Sequence, residues 1–81
     1  PNRLQLIGMR VEEGLKVLQK YLDNAYLTGE SEFVVVHGYG SGRLRDGVVQ
    51  HLEKHPLVAA LRPGEPSEGG GGVTVVSLRQ E

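Results

Sequence analysis

Phe33-Val34-Val35-Val36 is a run of four apolar residues, three of them β-branched, that ends directly at a histidine and a glycine-rich loop. A strand with one wet face alternates apolar and polar residues, and this run does not alternate. It predicts a strand buried on both sides, around which the rest of an 81-residue chain must pack. A chain of that length makes one domain and buries only about 60–65% of its unfolded surface.

The flanking segments supply the partners. Leu4 to Ile7 predicts a first strand, closed by Gly8. Val11, Leu15, Leu18, Leu22 and Tyr26 recur at helical spacing. Glu12 and Glu13 occupy the first turn, where the helix dipole favours anions, and Gly29 is the expected stop. Gly14 inside this helix costs about 1 kcal/mol relative to Ala, which close packing against the sheet would explain. Leu44, Val48 and Leu52, helped by Val49, space a second helix with Ser41 or Gly42 as its N-cap. Pro56 ends that helix by pushing His55 out of the helical region. Leu57 to Arg62 and Val73 to Leu78 predict the third and fourth strands. Between them, Pro63 to Gly72 predicts a loop without regular structure, and the four glycines Gly69 to Gly72 its mobile tip.

The order β-α-β-α-β-β predicts an α/β two-layer sandwich. Strands joined through a helix are parallel with right-handed crossovers, which puts both helices on one face. The closing hairpin makes the fourth strand antiparallel, so the four-stranded sheet is mixed. The C-terminal ends of the parallel strands then share one rim, the edge where α/β proteins bind ligands. Gly8–Arg10, His37–Gly42 and Pro63–Gly72 all reach that rim. They bring Arg10, His37, Arg43, Arg45 and Arg62 with them.

Composition narrows the function. Nine Lys and Arg against ten Asp and Glu give a net charge of −1, unlike a domain built for strong nonspecific DNA binding, although a local basic patch fits. With no Cys, disulfides and thiolate metal sites are excluded, and a reducing cytosol is compatible. No apolar run approaches the roughly 18 residues of a membrane span. The chain starts at Pro1 without Met and reads as a piece of a longer protein.

Seven of the 12 glycines fall in two clusters, Gly38/Gly40/Gly42 and Gly69 to Gly72. Two readings fit the first. The amides of Gly38, Tyr39, Gly40, Ser41 and Gly42 cradle a phosphate at the start of the second helix, with Arg43 and Arg45 adding charge. Or the glycines only relieve strain in a tight turn. The spacing is neither the dinucleotide fingerprint nor a P-loop, which argues against NAD and ATP. His37 is either a proton carrier or phosphate contact, or a half-buried ring bonded to backbone. Tyr39 either stacks on an unpaired base or packs on the base of its own loop. His51 and His55 have the i, i+4 spacing of metal ligands but lack a third partner.

The segments LQLIGMRVEEGL, VVVHGYGSGRLRDGV, HPLV and RPGEPSEGGGGVTVV together resemble the small MutS-related (Smr) domain. The resemblance covers nearly the whole chain. It is to the version that ends bacterial MutS paralogues which suppress recombination. It implies a fold like the C-terminal domain of translation initiation factor three, with strand order 1-2-4-3. It also implies a cytoplasmic nicking endonuclease on DNA, with some members cutting RNA on stalled ribosomes, and Mg or Mn as the metal such chemistry often uses. The longer protein would dimerise through a MutS-type ATPase. The His-Gly-x-Gly motif maps onto His37, Gly38, Tyr39 and Gly40 and makes His37 a catalytic candidate, and the shared rim adds Arg10 as a second. Arg62 joins the phosphate-binding set. The family's first motif, Leu-Asp-x-His or Leu-Asp-x-Arg before Gly, is Leu4-Gln5-Leu6-Ile7-Gly8 here. Gln5 is no base and Ile7 binds no phosphate, with Arg10 and Glu13 the nearest groups to compensate. That departure motivates a second reading, a binding module without catalysis on DNA or ribosomal RNA.

Overall fold

The apolar run lies where its composition demands. In the computed structural model, which describes residues 2–80, it forms β2 (Glu32–Val36), flanked by β1 (Asn2–Gln5) and β4 (Val73–Leu78). β3 (Val58–Pro63) pairs with the far side of β4, so the order is β1-β2-β4-β3. β1 and β2 are parallel, and β4 is antiparallel to both β2 and β3. The helices α1 (Val11–Leu27) and α2 (Arg43–Glu53) make the crossovers.

One face of β2 belongs to the main core. Phe33 and Val35 pack there with Leu6, Leu18, Leu22, Ala25, Val48, Leu52, Val76 and Leu78. Leu18 and Leu22 carry the α1 stripe, whereas Val11, Leu15 and Tyr26 are only partly buried. Glycine terminates α1 as expected. Gly29 adopts φ +78°, its amide donates to Tyr26 O at 3.1 Å, and the Glu30 amide donates to Ala25 O at 2.9 Å, which is a Schellman motif. Gly14 does not serve a close approach to the sheet. An added Cβ there would lie 2.9 Å from Leu44 Cδ1, so it serves the contact between α1 and α2.

The other face is covered without a third layer of helices. Val34, Val36, Val73 and Val75 form a second small core there. The Pro63–Gly72 segment folds back against it as a strap rather than the irregular loop the composition predicts. It contains two short 3-10 turns, Pro66–Glu68 and Gly70–Gly72. Arg3 and Arg62, in register with Val34 and Val75, both hold Glu68. Arg62 makes two bonds to the Glu68 carboxylate, at 2.7 and 3.0 Å, and Arg3 donates to Glu68 O at 3.2 Å. Together with the Glu65 amide, the Arg62 guanidinium holds the Glu68 carboxyl down to about 2.

The first strand starts and ends two residues earlier than the apolar pattern suggests. Its last ladder bond is from Leu6 N to Val36 O at 2.8 Å, after which the chain turns, with Met9 N donating to Leu6 O at 3.0 Å. Leu6 and Ile7 are apolar for different reasons. Leu6 drops into the core, and Ile7, 61% exposed, lies over Gly38. The third strand is also displaced by one residue and carries an irregularity between Val58 and Ala60.

Candidate nucleic-acid interface

α1 and α2 run in the same direction, so their N-termini meet at one end of the molecule. Val11 packs on Gly47, where an added Cβ would lie 2.7 Å from Val11 Cγ1. Arg10, the N-cap of α1, therefore stands beside the opening turns of α2. The positive ends of two helix dipoles and the glycine loop share this rim.

Backbone sign alternation explains the G-x-G-x-G spacing. Gly38, Gly40 and Gly42 have φ of +76°, +42° and +84°, and among the described residues none other than glycine has positive φ, so the sign flips at every residue. Alternation of this kind turns successive N–H groups toward a common concavity. Not all five amides are available. Gly38 N donates to Gly72 O at 2.9 Å, and Gly42 N donates to Tyr39 O at 3.2 Å. Among the described residues, the amides of Tyr39, Gly40 and Ser41 have no partner, nor do those of Leu44 and Arg45 in the first turn of α2. Gly42 caps α2, and Ser41 assists through a weak bond to Arg43 N at 3.4 Å.

The charged residues divide. The guanidinium groups of Arg10 and Arg43 have no protein partner among the described residues. Arg45 pairs with Asp46 at 3.0 Å, an exposed contact of little strength. Arg62, of the expected phosphate-binding set, is paired. Its side chain belongs to the back face of the sheet and is held by Glu68, so it is not a free cation of the rim.

His37 is 5% exposed and bonded at both nitrogens. Its Nδ1 lies 3.0 Å from Gly38 O, which can only accept, so Nδ1 carries a proton. In the neutral ring Nε2 is then an acceptor, and the buried Thr74 hydroxyl donates to it across 2.9 Å. A ring so placed shapes the loop from behind, with both nitrogens engaged. The Thr74 contact is 37 residues away in sequence, and no local signal announced it.

Tyr39 and the four glycines are joined. The Tyr39 hydroxyl donates to Gly69 O at 3.1 Å, and the ring lies against Gly71 and Gly72. Gly72 is buried, and its carbonyl accepts from both His37 N and Gly38 N. The tetraglycine is thus packed beside the first glycine cluster rather than forming a free tip.

Among the described residues no group of three or more His, Asp or Glu can hold a metal ion, and Gln5 brings a neutral amide where a carboxylate would serve a hard cation. Glu13 lies with Arg10 in a groove of about 550 Å³ along the start of α1, which also contains Glu12 and Lys16. His51 Nε2 donates to Gln19 Oε1 of α1 at 2.7 Å, and His55 Nε2 lies 3.2 Å from Gln19 Nε2.

The Smr domain family matches residues 4–79. The chain is 50% identical over 78 residues to Endonuclease MutS2 of Staphylococcus epidermidis and 45% identical over 79 residues to Endonuclease MutS2 of Anaeromyxobacter sp.. These alignments cover 96% and 98% of the chain but about a tenth of the length of either relative. Among solved structures, the Smr domain of Thermus thermophilus MutS2 superposes with a TM-score of 0.96 at 35% identity, over 99% of this chain and 100% of that one. YdaL, a stand-alone small MutS-related protein from Escherichia coli, superposes at 0.89 with 27% identity, over 96% of this chain and 64% of that one. No helix is long and apolar enough to cross a membrane among the described residues. The mixed sheet and the strand order are those of a known group, and the chain belongs to the Smr domain family.

Proposed function

We propose that this domain docks a nucleic-acid backbone phosphate on the rim formed by residues 39–45, as the nucleic-acid-handling module of a longer MutS-type protein. The observation that carries it is the set of partnerless amides of Tyr39, Gly40, Ser41, Leu44 and Arg45 beside the free guanidinium groups of Arg10 and Arg43. Main-chain donors at a helix N-terminus and guanidinium groups are the two kinds of group that recognise phosphate best. A chain of net charge −1 would then bind through a local site and not through a basic surface. His37 is a positioning residue in this reading, holding the loop through Gly38 and Thr74.

A second reading adds cleavage, and the naming of the relatives as Endonuclease MutS2 favours it. Water would attack the docked phosphorus and give up a proton to solvent, the bond to the leaving sugar oxygen would break with that oxygen taking a proton from solvent, and Arg10 and Arg43 would take up the charge that builds on the phosphoryl oxygens. DNA, including branched recombination intermediates, is the proposed substrate, and ribosomal RNA the alternative.

Binding of a labelled oligonucleotide across about 50 to 200 mM salt tests the docking. Affinity should fall steeply with salt, and Arg43→Gln should weaken it and reduce the salt slope by about one. Affinity that ignores salt would overturn the proposal. Nicking of supercoiled plasmid, with and without Mn²⁺, separates the two readings. Docking without nicking under either condition leaves only the binding module.

A further inference from the structure

Tyr39 combines high exposure with a fixed position. It is 71% exposed, yet its hydroxyl is anchored on Gly69 O at 3.1 Å. Beneath the ring runs the tetraglycine. A Cβ built on Gly72 would lie 3.0 Å from Cε2 and 3.4 Å from both Cδ2 and Cζ. Nearly equal approach to three consecutive ring atoms places that point over the face of the ring. A point beyond its edge would be near one carbon and markedly farther from the neighbours. A Cβ on Gly71 would meet Cε1 at 3.5 Å, and one on Gly70 would meet the hydroxyl at 3.3 Å. One face of Tyr39 is therefore seated on Gly72 near its Cε2 side, with Gly71 and Gly70 at the rim of the ring, and a side chain at position 72 would disturb that seat. The exposure belongs to the opposite face.

That open face sits beside the proposed phosphate site, because the Tyr39 amide is itself one of the partnerless donors. Resting on the docking reading, we infer that the outward face of Tyr39 is a stacking platform for one unpaired nucleotide base. The domain then takes single-stranded or locally unpaired nucleic acid and not continuous duplex. In a duplex both faces of every base are already covered by stacked neighbours, and exposing one costs unstacking energy. An unpaired base has a free face, and stacking on an aromatic ring accepts any base. The anchored hydroxyl and the glycine floor hold the ring before the ligand arrives, so little side-chain freedom is lost on binding. The ring face reads the base and not the sugar, so unpaired DNA and unpaired RNA share the required chemistry. Gly72 acquires a role as the floor of the platform, and Gly69 as the anchor of its hydroxyl.

The test is fluorescence anisotropy with ligands of equal phosphate count: a single strand, the same strand with its central nucleotides abasic, and a blunt duplex. The base-bearing strand should bind roughly tenfold more tightly than the abasic one. Tyr39→Ala should remove that difference, and Tyr39→Phe should retain most of it. Equal affinity of the unaltered chain for base-bearing and abasic strands overturns the platform and needs no variant to fold. Salt-sensitive binding in that outcome leaves phosphate docking standing. Duplex bound as tightly as single strand also overturns it, and no binding to any ligand removes both proposals. Run with DNA and with RNA, the assay supports the platform with either sugar, and the tighter of the two names the source.

Discussion

The Thr74 hydroxyl and His37 Nε2 meet at 2.9 Å inside the protein, tying the first residue of the glycine loop to the strand that follows the tetraglycine. Both residues are 5% exposed, so neither group has water to replace its partner. Thr74→Val keeps the shape, removes the donor and leaves a buried nitrogen unsatisfied. It should cost about 1–3 kcal/mol in urea denaturation, while Thr74→Ser should cost less. A loss no larger than that of an exposed substitution would show that the bond does not hold the loop.

The strap should loosen in acid. Glu68 is held down to about 2 by Arg62 first and the Glu65 amide second, below its ordinary 4.5. A depressed carboxyl stabilises the folded state above its unfolded value and loses that contribution as pH falls. The amides of Gly64 and Gly70, which donate to Gly70 O and Glu65 O, report on the strap. Their hydrogen-exchange protection should decline between about pH 4.5 and pH 2. Glu68→Gln should lower it at neutral pH and flatten the decline. An unchanged profile in that variant would remove the Arg62 pair from the latch.

His55 sets a second pH dependence, of similar sense but in a different window. Burial first, then the neighbouring His51, pushes it below its ordinary 6.5, while Asp23 acts the other way. The Leu57 amide donates to its Nδ1 at 3.1 Å, so protonating that nitrogen breaks the bond. The folded state resists the proton, and stability that is full above about 6.5 should decrease as pH falls below it. His55→Asn cannot charge. Melting temperatures from pH 8 to pH 5 should show the variant gaining on the original chain as pH drops. A constant difference would exclude His55.

The helix pair rests on a close approach at Gly47. An added Cβ would lie 2.7 Å from Cγ1 of Val11, a β-branched side chain with few rotamers to escape into. Overpacking of roughly 2 kcal/mol should exceed the roughly 1 kcal/mol that Ala gains over Gly in a helix. Gly47→Ala should thus destabilise by about 1 kcal/mol in thermal or urea unfolding. Adding Val11→Ala makes room, so the pair should be less than additive. Strict additivity would mean that the two side chains do not meet.

Local pattern made much of this architecture legible. Helical spacing located α1 and α2, and Gly29 marked the end of α1 because a Schellman turn needs positive φ at that place. The boundaries of β1 were not legible. Leu6 and Ile7 extend the apolar run of the strand, but one is consumed by the core and the other by a contact with Gly38. Apolar character does not say whether a residue enters the core, as Leu6 does, or stays largely in water against one neighbour, as Ile7 does. Gly14 was misassigned for the same reason, since a glycine signals a close approach without naming the partner.

Sequence alone determined the central strand, the α/β order and the alternating glycines, because each is written in the spacing of neighbouring residues. Phe33 to Val36 required cover on both faces, and only the tertiary structure showed that the second cover is the Pro63–Gly72 strap. It also decided that His37 is enclosed by Thr74, that Arg62 serves Glu68, and that Tyr39 rests on Gly72. The His37–Thr74 and Tyr39–Gly69 bonds join groups 37 and 30 residues apart, brought together by the antiparallel pairing of β2 with β4. Periodicity describes the conformation of a segment. Which polar group waits opposite it is settled only when the strands pair.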